Sequence, residues 1–218
     1  MKPKLAIWGA SGQAIVVADI VRICGEHELV GFIDDVNPER TGNAFYHSRI
    51  LGGREQLEKL HQQDVHFLIL GFGNNVARLE LAALIRSKEY QLATALHPQA
   101  VIAADVAIGA GSVIKAGVVI DPDVTIGENV IIGSCATLAH GCVVGDGVRI
   151  SGGANISGYV TIGKACIIGP GAIIRNRVQI GEHTLIGTGA TVVKDIPPGV
   201  VAYGVPARPI RKIKPDDY

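Results

Sequence analysis

Between Ile108 and Val192 every sixth residue is aliphatic, fifteen times in succession and without an insertion. An α-helix needs an apolar repeat near 3.6 residues and a half-buried strand a repeat of 2, so a strict six fits neither alone. It fits short strands joined by tight turns, each strand sending one large aliphatic side chain inward, which is the pattern of a hexapeptide β-helix. The residue two places earlier is mostly small, as at Ser112, Ala136, Cys142 and Ala154, and glycine often follows the aliphatic residue, as at Gly109, Gly127 and Gly169. Three hexads close one triangular coil, so residues 18 apart in this sequence stack at the strand spacing of about 4.8 Å. The hexads run from about residue 98 to 196, and the ladder is expected to stop at Lys194-Asp-Ile-Pro-Pro198, because proline has no N–H to give it.

The stretch before the repeat reads differently. Residues 4–9 have the pattern of a buried strand, Gly9-Ala-Ser-Gly12 turns the chain, and Gln13–Cys24 has helical apolar spacing. Strand, glycine turn and helix open a nucleotide-binding α/β unit, in which glycines let backbone N–H groups and a helix N-terminus approach an anion. Gly9, Ser11 and Gly12 are therefore candidate substrate contacts; a tight turn with no ligand is the other reading, and the full GxGxxG run of a dinucleotide site is missing. A second strand, Glu28–Ile33, delivers Asp34 to the carboxyl edge of the sheet, where it accepts a hydroxyl or ring N–H or else forms a solvated turn. Residues 37–53 read as a polar connection and Arg54–Gln62 as a short helix. Val65–Leu70 then leads through Gly71-Phe-Gly-Asn-Asn75 into a helix from about Val76 to Lys88, which repeats the pattern and adds Gly71 to the candidates. Arg78, early in this helix, meets a phosphate or faces solvent. Leu92–Leu96 is the last strand, and His97-Pro98 breaks the chain before the repeat. The expected organisation is a Rossmann-like α/β domain over 1–97, an all-β parallel β-helix over 98–199, and a C-terminal segment over 200–218.

Twenty basic and twenty acidic residues cancel, so no global field points to nucleic acid or an anionic membrane. The N-terminal apolar run stops at the Gly9 turn, too short for a secretion signal, and no stretch approaches a membrane span, so a cytoplasmic location is expected. Cys24, Cys135, Cys142 and Cys166 lack metal-ligand spacing. No metal is expected, and Cys142 and Cys166 read as small inward-facing hydrophobes rather than nucleophiles.

The unbroken hexads closed by KDIPPG and then by GVPARPI resemble the left-handed β-helix acyltransferases that use acetyl-CoA. That resemblance implies a left-handed coil, an exception to the right-handed crossover rule, a homotrimer, and CoA in the groove between neighbouring helices. Over the whole chain, GASGQA from Gly9, GFIDD from Gly31, HP at the junction and uninterrupted coils are similar to the sugar acetyltransferases of bacterial surface-glycan biosynthesis. These include enzymes of nucleotide-linked 4-amino-sugars and sialic-acid O-acetyltransferases. The resemblance to the amino-sugar members implies that the first domain holds the nucleotide of the sugar and that a histidine of the helix is the base.

Acetyl transfer from a thioester needs an acceptor that loses its proton as it attacks, and neutral imidazole is the natural base near pH 7. The coils contain two histidines. His140, in Leu138-Ala-His-Gly-Cys142, falls at the family's catalytic place, with Cys142 two residues on and Gly145 five on; His183 is expected at a solvated corner. The family usually has an acidic residue directly after the histidine, and this chain has Gly141. Stacking places Asp123 one coil below Gly141 and Tyr159 one coil above, so Asp123 is expected to reach the His140 ring, with Tyr159 as a second hydrogen-bonding candidate. The resemblance maps CoA contacts onto Arg149, Gly158, Thr188 and Pro206. The function implied is acetyl-CoA-dependent N-acetylation of a UDP- or dTDP-linked 4-amino-4,6-dideoxy sugar by direct attack, with His140 as base. The alternatives are O-acetylation of a sugar such as sialic acid and a β-helix protein without catalysis. Since no insertion interrupts the coils, acceptor recognition is expected from the first domain and a neighbouring subunit.

Overall fold

In the computed structural model, which describes residues 2–217, the apolar run Lys4–Trp8 (β1) sits near the centre of a six-stranded sheet. Its neighbours are β2 (Glu28–Ile33) and β5 (Val65–Leu70), both parallel to it, as expected for strands whose side chains are covered on both faces. The expected helices form as α1 (Gly12–Cys24), α2 (Leu57–Gln62) and α3 (Asn75–Ser87). Val17, Ala18 and Ile20 of α1 pack on one face of the sheet with Leu5 and Ile7; Leu57, Leu60, Ala82 and Ile85 pack on the other with Ala6 and Trp8.

Two stretches depart from the sequence expectation. The polar connection over 37–53 contains a hairpin, β3 (Ala44–Phe45) and β4 (Ser48–Gly52), and β4 joins the sheet beside β2. Its anchor is a single buried side chain, Ile50, and its turn uses Tyr46 and His47 at φ 33° and 57° rather than the glycine or asparagine that announces such a turn. The supposed strand Leu92–Leu96 is two strands in two sheets. β6 (Gln91–Leu92) closes the α/β sheet beside β5, whereas β7 (Ala95–Leu96) already pairs with Val113–Ile114 of the β-helix. The β-helix ladder therefore begins at Ala95, ahead of residue 98.

The β-helix is left-handed and has three walls of two-residue parallel strands, each pairing with the strand 18 residues away, as Val113 with Ile131 and Thr137 with Asn155. Wall one starts at β7, wall two at Val101–Ile102 and wall three at Ala107–Ile108. Inside wall one Ile114, Ile132, Ile150, Ile168 and Ile186 form a fully buried column, and the small residues Cys142, Ala154, Cys166 and Ala172 fill the corners between columns. Pro197 and Pro198 do not end the ladder altogether. Val200–Gly204 rejoins wall one beside Leu185–Ile186 and folds back as the antiparallel strand Ala207–Lys212. The segment expected to lie outside the helix thus extends it. Among the described residues no helix is long and apolar enough to cross a membrane.

The α/β unit is docked on wall one and on one edge of the prism. The outward-facing Val113 and Ile131 of wall one are buried in the same apolar cluster as α1. α3 lies along the edge between walls three and one, where Asn75 Nδ2 donates to the carbonyls of Ala165 and Cys166, and Leu79 occupies the room a Cβ at Gly147 would need. Arg78, 1% exposed, faces neither solvent nor an open anion site. It donates to Asn129 O (3.1 Å) and Gly147 O (2.9 Å) on that edge and to Gly73 O (2.8 Å) in its own domain. Burial, and secondarily Arg149, push its pKa down to about 9, which still leaves it charged at neutral pH. Replacing it with a side chain that cannot donate strips partners from buried carbonyls. Arg78→Met is expected to lower the unfolding free energy by about 2–5 kcal/mol, since each buried acceptor left unpaired costs about 1–3 kcal/mol. A denaturant midpoint equal to wild type would contradict this.

Candidate active site

A cavity of about 420 Å³, within the range that holds small ligands, opens at the carboxyl ends of β1, β2 and β5. Its apolar lining comes from Trp8, Ile33, Phe72 and Leu81, and its polar rim from Ser11, Asp34, Asp35, Asn37 and Arg54. The two glycine turns meet here. A Cβ on Gly9 would stand 2.9 Å from Gly71 O, so Gly9 must lack a side chain for the turns to touch. One on Gly71 would stand 2.7 Å from Ile7 Cγ2 and 2.8 Å from Ala14 Cβ, so Gly71 must lack one to pack on β1 and α1. Ser11 donates its hydroxyl to Gly71 O (3.1 Å) and accepts nothing from the N–H groups of α1, whose exposed Gly12 end carries no side-chain cap and no acidic residue. Gly9, Ser11, Gly12, Gly71 and Asp34 are thus brought to one place. Asp34, however, is occupied: its carboxylate accepts from the Val36 and Asn37 backbone N–H groups, from Asn37 Nδ2 and from Arg40 Nη1. Asp35 is equally engaged by Trp8 Nε1 and by Arg54 through its backbone and guanidinium.

Between this cavity and wall one lies a cluster of cations that the sequence did not announce. Arg149, expected at a CoA groove, instead projects from wall one into the domain junction and donates to Gly73 O (3.2 Å). Its position on the wall decides this, because wall one is the wall that the α/β unit covers. Lys115, on the edge after wall one, donates to Gln13 Oε1 (2.8 Å) at the start of α1. Burial, followed by the charge of Arg149, lowers the pKa of Lys115, and burial lowers that of Arg149. Among the described residues neither forms an ion pair with a carboxylate, nor does Arg78.

His140 stands exposed on the edge between walls two and three, the edge opposite wall one. Gly158, a candidate CoA contact, lies buried one coil above it and forms the seat of the imidazole: a Cβ there would be 3.0 Å from His140 Nε2. Asp123 shares the edge, and the carboxylate that meets its backbone N–H belongs to Asp105 (2.9 Å). Among the described residues no hydrogen bond joins Asp123 to His140. The space over Gly141 is filled from above by the ring of Tyr159, which meets the imidazole edge-to-face at 5.0 Å. Thr188 and Pro206 are exposed on or beside the edge between walls one and two, so the width of wall two separates them from His140. His183 lies on the third edge and is half-buried, not the solvated corner expected.

The cysteines are not arranged for thiol chemistry. Cys142 and Cys166 point inward and donate to Ser157 O and Gly181 O; burial raises both thiol pKa values, that of Cys166 to about 12. The thiolate is the reactive form. A thiol reagent at mildly alkaline pH should therefore leave Cys142 and Cys166 unmodified in the native protein and label both once it is denatured. Labelling of either at the rate of a free thiol would contradict their placement.

Comparison with known proteins matches both halves of this arrangement. Residues 4–85 match the family model of the PglD N-terminal domain, and residues 123–158 and 159–194 match that of the bacterial transferase hexapeptide (six repeats). No curated protein sequence matches the chain. Among solved structures, a perosamine N-acetyltransferase from Caulobacter crescentus, bearing a histidine-to-asparagine substitution and in complex with CoA and GDP-perosamine, superposes with a TM-score of 0.91 at 32% identity, over 95% of this chain and 96% of that one. The acetyltransferase domain of PglB from Neisseria gonorrhoeae, also solved with acetyl coenzyme A, superposes with a TM-score of 0.89 at 33% identity, over 96% of this chain and 100% of that one. WeeI from Acinetobacter baumannii follows with 0.83 at 26% identity, over 94% and 99%. With both domains matched together along nearly its whole length, the chain belongs to the hexapeptide-repeat nucleotide-sugar N-acetyltransferases.

Proposed function

We propose that this chain transfers the acetyl group of acetyl-CoA to the amine of a nucleotide-linked amino sugar, in a site formed between subunits of a homotrimer. The observation that carries this reading is the placement of His140. The α/β unit covers wall one and the edge between walls three and one, and His140 stands on the edge between walls two and three, opposite wall one. A sugar held in the cavity of one chain is therefore turned away from that chain's own histidine. A neighbouring subunit that presents its His140 edge completes the site. The same reading holds for CoA: wall two separates His140 from the Thr188–Pro206 region, and a second helix facing that wall would close a groove that spans both.

The cavity suits a nucleotide through its aromatic and aliphatic lining and its two glycine turns. The uncapped end of α1, with Lys115 and Arg149 nearby and unpaired by carboxylates, favours the diphosphate. His140 acts as general base. The acceptor nitrogen attacks the thioester carbonyl, the C–N bond forms as the C–S bond breaks, the amine proton passes to His140, and CoA leaves as its thiol after taking up a proton. The naming of a relative as a perosamine N-acetyltransferase supports an amine over a sialic-acid hydroxyl as the acceptor, and the replacement of a histidine in that relative supports a histidine at the reacting centre. Its GDP-perosamine extends the candidate acceptors from UDP- and dTDP-sugars to GDP-sugars.

The test is free-thiol release from acetyl-CoA with GDP-, UDP- and dTDP-linked 4-amino-4,6-dideoxy sugars and with free sialic acid. We expect turnover with a nucleotide-linked amino sugar and none with sialic acid. His140→Asn should lower kcat by about 10²–10⁴-fold, the usual contribution of a positioned base, with acetyl-CoA binding retained. Full turnover in that variant, or no thiol release with any amino sugar, would overturn the reading.

A further inference from the structure

Two glycines shape the edge at His140. The imidazole rests on Gly158, where a Cβ would stand 3.0 Å from Nε2 and 3.1 Å from Cε1. The phenol ring of Tyr159 rests on Gly141, where a Cβ would stand 2.5 Å from Tyr159 Cδ1 and 2.6 Å from Cε1. Each ring occupies the room that a missing side chain leaves, and the two meet with centroids 5.0 Å apart and planes at 88°. Edge-to-face contact is the favourable arrangement for two aromatic rings. Behind Tyr159 the next residue in the stack, Arg177, places its guanidinium 4.8 Å from the ring centroid, within cation–π range.

Stability of the helix does not account for this ring. Tyr159 is 48% exposed, outside the aliphatic column, and among the described residues its hydroxyl makes no hydrogen bond. Its positive φ of 59° is shared by Asp123 and Arg177 in the same stack, so it is a property of the corner that does not call for an aromatic residue. What the ring does touch is the imidazole, to which no carboxylate among the described residues is hydrogen-bonded.

We propose that Tyr159 is a positioning residue for His140: seated over Gly141 and backed by Arg177, its ring holds the imidazole in one orientation towards the acceptor. The proposal rests on the reading of His140 as the base. Ring packing here performs the orienting task that a hydrogen-bonded carboxylate performs beside other catalytic histidines.

The experiment measures kcat and KM, by thiol release, for Tyr159→Phe, Tyr159→Leu, Gly141→Ala, the Tyr159→Leu/Gly141→Ala double variant and His140→Asn, each checked for thermal midpoint. Tyr159→Leu should cut kcat by about 10- to 100-fold, as a misplaced catalytic group does, with both KM values within about twofold of wild type. Tyr159→Phe, which keeps the ring, should stay within about threefold of wild type. Gly141→Ala drives a methyl group into the Tyr159 ring and should reproduce the loss, and the double variant should be no worse than the poorer single one, because both act through the same contact. If the strained backbone at Gly141 prevents that variant from folding, the Phe and Leu variants at the exposed position 159 decide the matter. Full kcat in Tyr159→Leu with His140→Asn inactive overturns the proposal alone. Full kcat in His140→Asn overturns the base reading and the proposal with it. A rise in KM at unchanged kcat in Tyr159→Leu marks a substrate contact and also overturns the proposal.

Discussion

Every coil of this β-helix closes after 18 residues, and that register governs everything outside it. The interior of the prism takes one large aliphatic side chain and one small or medium-sized residue per hexad, and a one-residue slip within a strand would displace a buried column such as Ile114 to Ile186. Once the columns are fixed, each outward position is fixed too, because residues 18 apart share a wall or an edge. His140 packs against Gly158, and Tyr159 against Gly141, because residues 18 apart stack on the same edge.

The second constraint is electrostatic. Three cations, Arg78, Arg149 and Lys115, are partly or wholly buried where the α/β unit meets wall one, and among the described residues none has a carboxylate partner. A buried charge is tolerable when it is hydrogen-bonded. Arg78 and Arg149 meet that condition on backbone carbonyls, both of them reaching Gly73, and so they tie the second glycine turn of the cavity to the β-helix. Arg86 and Glu128 add an ion pair along the same edge. The domain that carries the cavity is thereby held at one wall and one edge, and the opposite edge, with His140, stays open.

How much of this was legible in the sequence varied with the kind of signal. Periodicity gave the β-helix, its core residues and the vertical neighbours of Gly141, since a six-residue repeat is also a coordinate system. Glycines gave the two turns around the cavity. Periodicity is silent, however, about which wall another domain covers, and so it could not correct the resemblance, which put Arg149 at a CoA groove when it reaches into the junction. The same silence hid Lys115 and the packing of Arg78, whose partners lie 51 and 69 residues away. Stacking also gave position without side-chain direction: Asp123 and Tyr159 are both neighbours of Gly141, and the ring rather than the carboxylate takes the space beside His140. The hairpin of β3 and β4 escaped because its turn carries Tyr46 and His47, and β7 escaped because a two-residue strand has no pattern of its own.

If the nucleotide cavity of one chain works with the histidine edge of another, the two functions can be carried by different subunits. Co-expressing a His140→Asn chain with a chain whose cavity is filled by Ala77→Trp, and confirming mixed trimers by native mass spectrometry, tests this directly. Each variant alone should be inactive, and the mixed trimers should recover thiol release with the nucleotide-linked sugar, because some cavities then face an intact His140. Mixed trimers as inactive as their parents would mean that cavity and base act within one chain, contrary to the geometry of the prism.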